Sequence, residues 1–190
     1  MTAVPQAASR PNGWYGMLVL VATEAALFGT LIGTYVYLRF QTATWPPRGD
    51  APPSVAAPLV LSLVLLSTAA TMAYASRAAA GGRRGAAIWA VALTLVVQAG
   101  YLAAQAHLYV DDLASLSPRT DAYASIYFTM LAVHHAYVGI GIVLDGWILA
   151  RLARGLTRYR QAALGAIALY WCFVAIVGLL VTATTLSPSW

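Results

Sequence analysis

The chain has 190 residues, 61% of them hydrophobic and only 9% charged. A soluble domain carries roughly 25% charged residues, so these numbers argue against a free-standing cytosolic domain, and the hydrophobicity excludes disorder. A mean hydropathy of +0.72 points to a polytopic membrane protein, and the net charge of +5 rests on eleven arginines with no lysine.

A span across a ~30 Å hydrocarbon layer needs about 20 apolar residues. In chain order, such stretches cover approximately residues 14–39, 54–77, 85–110, 122–151 and 161–186. The first is interrupted by Glu24, the fourth carries His134, His135 and Asp145, and the second and fifth are uncharged in their apolar cores. Lipid leaves open backbone groups without partners, so each must be a helix. The fold expected is an all-α, five-transmembrane-helix bundle forming a single integral membrane domain over residues 1–190. The first stretch is longer than a signal-peptide core and is followed by Arg39, so it reads as a span. The first loop, with Trp45-Pro46-Pro47 and Pro52-Pro53, reads as stiff and extended. Trp14, Trp45, Trp89, Trp147 and Trp190 fall near span ends, as interfacial aromatics do.

The arginines set direction. Arg77, Arg83 and Arg84 occupy the second loop, and Arg151, Arg154, Arg158 and Arg160 the fourth. The third loop holds Asp111, Asp112 and Asp121 against Arg119. By the positive-inside rule the N-terminus, with Arg10, is cytoplasmic and the C-terminus outside. Basic residues clustered between apolar runs also argue against a nucleic-acid partner. Cys172 is the single cysteine, so no intrachain disulfide or multi-cysteine metal site is available.

Glu24 lies ten residues into the first span, about 15 Å deep at the helical rise. A carboxylate there is costly unless protonated or paired. Two readings stand: a proton-linked or lipid-contacting carboxyl, and a protonated Glu bonded to a neighbouring helix. His134 is twelve residues into the fourth span, about 18 Å from its outer face, so the two reach similar depths and a Glu24–His134 pair is expected. His135 points about 100° away from His134, which turns one toward the bundle and the other toward a cavity or a second protein. Asp145, about 9 Å from the cytoplasmic end, is expected to pair with a loop arginine, or else to serve as a proton-entry group. Gln98 and Gln105 share a face of the third span and read as interhelical hydrogen-bond groups. Ala25, Gly29 and Gly33 form a small-residue stripe that lets helices approach closely.

His107 sits about 5 Å inside its span, roughly 13 Å shallower than His134, which argues against a bis-histidine haem within the chain. Useful spacings for a copper or zinc cluster are lacking. No nucleophile–base triad, phosphate loop or internal repeat is visible, so no catalytic or metal residue is assigned.

The ordered set of residues resembles the five-helix core of subunit III of haem–copper oxidases. Trp14-Tyr15-Gly16-Met17, Glu24 and Tyr35-Val36-Tyr37-Leu38-Arg39 are similar to its first core helix, and Trp45-Pro46-Pro47 to its Trp-Pro-Pro loop. Pro58-Leu59 with Ser67, Gly100-Tyr101 with Gln105 and Tyr109, Tyr127-Phe128 with His134 and Val138, and Tyr170-Trp171 with Phe173-Val174 follow in order. The family usually has a second histidine at Tyr137, Glu at Leu108, His at Cys172, Asp at Ala175 and Asn at Leu61, which marks a divergent member. Its seven-helix members carry two further N-terminal helices.

The resemblance implies a non-catalytic accessory subunit of a proton-pumping terminal oxidase in a bacterial cytoplasmic membrane. It implies packing on subunit I, with subunit II in the same complex, and structural phospholipids held in a cleft. It implies support of proton uptake and of stability during aerobic respiration. Haem and copper belong to the partner subunits and no cofactor to this chain. Glu24 and His134 carry over as lipid- or proton-linked positions and Arg39 as a headgroup contact, with Gln105 and Asp145 as structural polar contacts. Cytochrome c and quinol both remain open as electron donors. Three further readings stand beside it. One is a subunit III-like partner of a nitric oxide reductase. Another is a small proton-coupled transporter or channel using Glu24 and His134. The last is a purely structural or assembly protein.

Overall fold

The computed structural model describes residues 12–47 and 56–186. Arg10, Trp190 and the Arg48, Asp50, Pro52 and Pro53 positions of the first loop lie outside the described residues. Five helices occupy the five apolar stretches: α1 Asn12–Gln41, α2 Ala56–Ala80, α3 Arg84–Ser115, α4 Ala122–Ala153 and α5 Arg158–Thr185. All five are long and apolar enough to cross a membrane, and no strand occurs among the described residues.

Helix α5 packs against α1, α2 and α4, while α3 packs against α2 and α4. The inward stripe of α4 explains its place: His134, Val138, Gly141, Asp145, Ile148 and Leu152 are all buried and recur at three- and four-residue spacing. Helix α1 is peripheral. Only Phe28 and Tyr35 are buried on it, against twelve residues each on α4 and α5. Ala25, Gly29 and Gly33 are all exposed, so the small-residue stripe faces away from the bundle. Small residues mark where a close approach is possible, but not which helix makes it.

The α2–α3 and α4–α5 connections lie at one end, which gathers Arg77, Arg83, Arg84, Arg151, Arg154, Arg158 and Arg160. Helix α2 closes in a reverse turn at Gly82, where φ is +74°. There the Arg83 N–H donates to the Ala78 carbonyl at 2.8 Å and the Gly82 N–H to that of Ala79 at 3.0 Å. This Schellman pairing needs a left-handed residue that glycine adopts without strain. The two connections are tied together. Arg84 Nε donates to the Leu152 carbonyl at 2.9 Å, and its Nη2 to that of Ala153 at 2.5 Å. Gln161 Nε2 donates to the Ala79 carbonyl at 2.8 Å. A cation on the final carbonyls of a helix also complements its dipole. Arg84→Ala is therefore expected to cost about 1 kcal/mol. The check is the thermal midpoint of the detergent-solubilised protein, which should fall by a few degrees.

At the other end, Trp45 anchors the start of the first loop. Its indole donates to the Tyr35 hydroxyl at 3.1 Å, and its ring meets Tyr123 edge-on at 4.9 Å. Asp121 caps α4 by accepting from the Ala124 N–H at 2.8 Å.

Candidate functional site

Glu24 is half-buried on the α1–α4 seam, and its carboxylate accepts a hydrogen bond from the Tyr137 hydroxyl. Tyr170 of α5 fixes that turn of α4 by donating to the Tyr137 carbonyl at 2.9 Å. Phe28, one turn along α1 from Glu24, lies edge-on to both Tyr137 (5.6 Å) and His134 (6.5 Å). The expected Glu24–His134 pair is thus corrected. The two groups flank Phe28 on adjoining helices, and the direct partner of Glu24 is Tyr137. Helical rise fixes depth but not rotation, and rotation places the phenyl ring against the imidazole. The Tyr137 hydroxyl is thus the donor to the carboxylate, across the α1–α4 seam.

His134 is buried at 2% exposure and its Nε2 lies 3.3 Å from the Tyr101 hydroxyl. Its Nδ1 has no hydrogen-bond partner among the described residues. A Cβ on Gly178 of α5 would come within 2.8 Å of the imidazole, so only glycine leaves room for the ring there. His135, one residue on, lines a small cavity with Gln105, Thr182 and Thr185, while its neighbour faces the bundle. Gln105 donates to Tyr101 on its own helix at 3.3 Å rather than to another helix.

Asp145 differs from expectation. It is fully buried and accepts from Gln98 Nε2 of α3 at 2.6 Å, and it forms no ion pair among the described residues. Six residues along a helix turn the chain by about 600°, or a net 240°, which carries Arg151 off the inward stripe. The Arg151 guanidinium instead lies 5.2 Å above the Trp147 ring. Gln98 is therefore the interhelical group, whereas Gln105 is not.

Trp147 belongs to a feature that sequence reasoning did not find. An open groove of about 270 Å³ runs between α1, α4 and α5 at the arginine-rich end, lined by Trp14, Met17, Leu144, Trp147, Tyr159 and Ile167. Interfacial tryptophans and an apolar floor suit an acyl chain, and the nearby arginine suits a phosphate. The signal available in sequence was the coincidence of Trp14 and Trp147 at the same end of antiparallel spans. Arg39, in the last turn of α1, lies at the opposite end and forms no ion pair among the described residues.

Among the described residues no group of three or more His, Cys, Asp or Glu side chains is placed to hold a metal. The intramembrane polar groups are matched chiefly to one another: carboxyl to phenol, carboxyl to amide, imidazole to phenol. Five spans arranged this way define a helical multi-pass membrane protein whose polar residues serve the bundle and one α1–α4 seam.

Residues 8–186 match the family described as Cytochrome c oxidase subunit III. The chain therefore belongs to that family, the accessory subunit III of haem–copper oxidases. It is 28% identical over 173 residues to the Cytochrome bo(3) ubiquinol oxidase subunit 3 of Pseudomonas aeruginosa, covering 87% of this chain and 80% of that protein. It is 31% identical over 170 residues to the Quinol oxidase subunit 3 of Bacillus subtilis, covering 85% and 80%. With the Cytochrome c oxidase subunit 3 of Paracentrotus lividus it shares 28% identity, and there it spans 65% of the relative's length.

Proposed function

We propose that this chain is the non-catalytic accessory subunit of a proton-pumping terminal oxidase in a bacterial cytoplasmic membrane. It packs on subunit I, in a complex with subunit II, with its arginine-rich end in the cytoplasm and its C-terminus outside. The haem and copper centres reside in those partners. The observation that carries the reading is the family match over residues 8–186, joined to a mid-span Glu24 on an outer helix that the bundle covers on one side only. A carboxyl placed there is presented at the seam and not sealed in the core.

Glu24 and His134 serve as lipid- or proton-linked positions, and Arg39 as a headgroup contact at the far end of α1. The groove beside Trp14 and Trp147 takes a structural phospholipid, its headgroup near Arg151. This arrangement supports proton uptake by the complex and its durability in turnover.

Glu24→Gln keeps the size of the side chain and removes the ionisable oxygen. The variant complex is expected to start electron transfer at the parent rate, yet to differ in turnover-linked inactivation or in bound phospholipid. Oxygen-consumption traces run to inactivation, with lipid analysis of the purified complex, make the measurement. An immediate and total loss of oxidase activity from a fully assembled complex contradicts the assignment.

A further inference from the structure

We propose that Asp145 is held as an uncharged carboxylic acid whose proton is donated to Gln98 Oε1, so that the two side chains exchange hydrogen bonds in both directions and lock α3 to α4 without burying a charge.

The pair carries two unmet polar atoms. Gln98 and Asp145 are both at 0% exposure, and Gln98 Nε2 donates to Asp145 Oδ2 at 2.6 Å. The remaining oxygen of each head group, Gln98 Oε1 and Asp145 Oδ1, is buried with no hydrogen-bond partner among the described residues. Buried polar atoms are nearly always bonded, so two orphans on one bonded pair call for an explanation. An ionised Asp145 gives none, because carboxylate and amide oxygens are both acceptors. Exchanging the nitrogen and oxygen ends of the amide moves the mismatch to the other arm and leaves it in place. A protonated carboxyl has one O–H to donate. Carboxyl and amide are both planar forks, so that proton completes a closed ring of two hydrogen bonds: amide N–H to carboxyl oxygen, and carboxyl O–H to amide oxygen.

The surroundings supply no counter-charge for a carboxylate. The chain has no lysine, no arginine is buried among the described residues, and Asp145 forms no ion pair there. One turn away on α4 stand Gly141, Ile142, Ile148 and Leu149. The titratable groups buried on the helices packed against α4 are tyrosines: Tyr35 of α1, Tyr101 of α3 and Tyr170 of α5. Helix α2, which packs on α3, buries none. On α4 itself, His134 stands eleven residues away, about 16 Å along the axis. A lone carboxylate in a span is costly unless it is paired, so the proton is the cheaper answer.

The inference concerns this chain alone and holds with or without partner subunits. It makes Asp145 a fixed structural acid, and so removes it from the groups that could admit protons from the arginine-rich end.

The test uses the full chain in lipid bilayers at neutral pH, labelled with ¹³C,¹⁵N-aspartate and -glutamine. Solid-state NMR separates protonated from ionised aspartate by the carboxyl carbon shift. A protonated aspartate is expected, its carboxyl proton correlating with Gln98 Cδ, and Asp145→Asn is expected to abolish that signal. Asp145→Asn also preserves both hydrogen bonds, because an amide N–H replaces the carboxyl O–H as donor to Gln98 Oε1. Its thermal midpoint is therefore expected to match the parent's, whereas Asp145→Leu, which strands the Gln98 amide, is expected to melt lower. The proposal is overturned if every aspartate of the parent chain is ionised, or if its carboxyl proton correlates with water and not with Gln98. Both of these are read on the parent, so they decide even where a variant fails to fold. It is equally overturned if the protonated signal survives Asp145→Asn, or if Asp145→Asn melts as low as Asp145→Leu.

Discussion

Trp171→Ala is expected to lower the stability of the bundle by about 4 kcal/mol, the range for emptying a large aromatic site. Trp171 is fully buried at the centre of α5, and its indole donates to Thr68 Oγ1 of α2 at 2.7 Å. On its other side it lies over Gly141 of α4, where an added Cβ would come within 2.6 Å of the ring. The side chain therefore joins three helices, and its loss opens a cavity and removes the donor to a buried hydroxyl. Gly141→Val tests the same contact from the opposite direction. Overpacking typically costs about 1–3 kcal/mol, and here it also pushes the ring off Thr68. Thermal unfolding in mild detergent reads both. A Trp171→Ala midpoint equal to the parent's contradicts the packing described.

Gln98→Leu is expected to cost about 3 kcal/mol, because it leaves the Asp145 carboxyl in the apolar interior without its donor. Asp145 is at 0% exposure and takes its one side-chain hydrogen bond from Gln98. Deleting both partners removes the stranded group along with its donor. The double variant Gln98→Leu with Asp145→Leu is thus expected to recover most of what the single change loses. Thermal midpoints of the two variants decide the matter. If the double variant is as unstable as the single one, Gln98 acts by its shape and not as the partner of Asp145.

Much of the architecture is legible in the sequence because the bilayer allows few alternatives. An apolar run of sufficient length must be helical, and five such runs are the five helices observed. The depth of Glu24 and His134 follows from the rise per residue. What that arithmetic leaves open is rotation, and every difference from expectation arises there. Glu24 meets Tyr137, and it is Phe28 of α1 that meets the His134 ring. Asp145 meets Gln98 because its place on the inward stripe turns Arg151 elsewhere. Ala25, Gly29 and Gly33 read as a packing stripe, but they face out of the bundle. Two hydroxyl pairs that bridge helices, Ser62 of α2 with Thr182 of α5 at 2.6 Å and Thr71 of α2 with Thr94 of α3 at 2.7 Å, are invisible for a related reason: single hydroxyls in apolar runs usually bond their own helix, and nothing in the pattern separates these from the rest. The Trp14–Trp147 groove needs the packing of α1, α4 and α5, which no single span encodes.

The most direct measurement is purification of the native complex in mild detergent through a tag on this chain, followed by absorption spectroscopy, metal analysis and mass spectrometry of the copurifying proteins. Haem- and copper-containing oxidase subunits in fixed proportion to the tagged chain are the predicted result. A haem-free homo-oligomer of this chain would contradict the assignment to an oxidase complex and point to a protein that works alone.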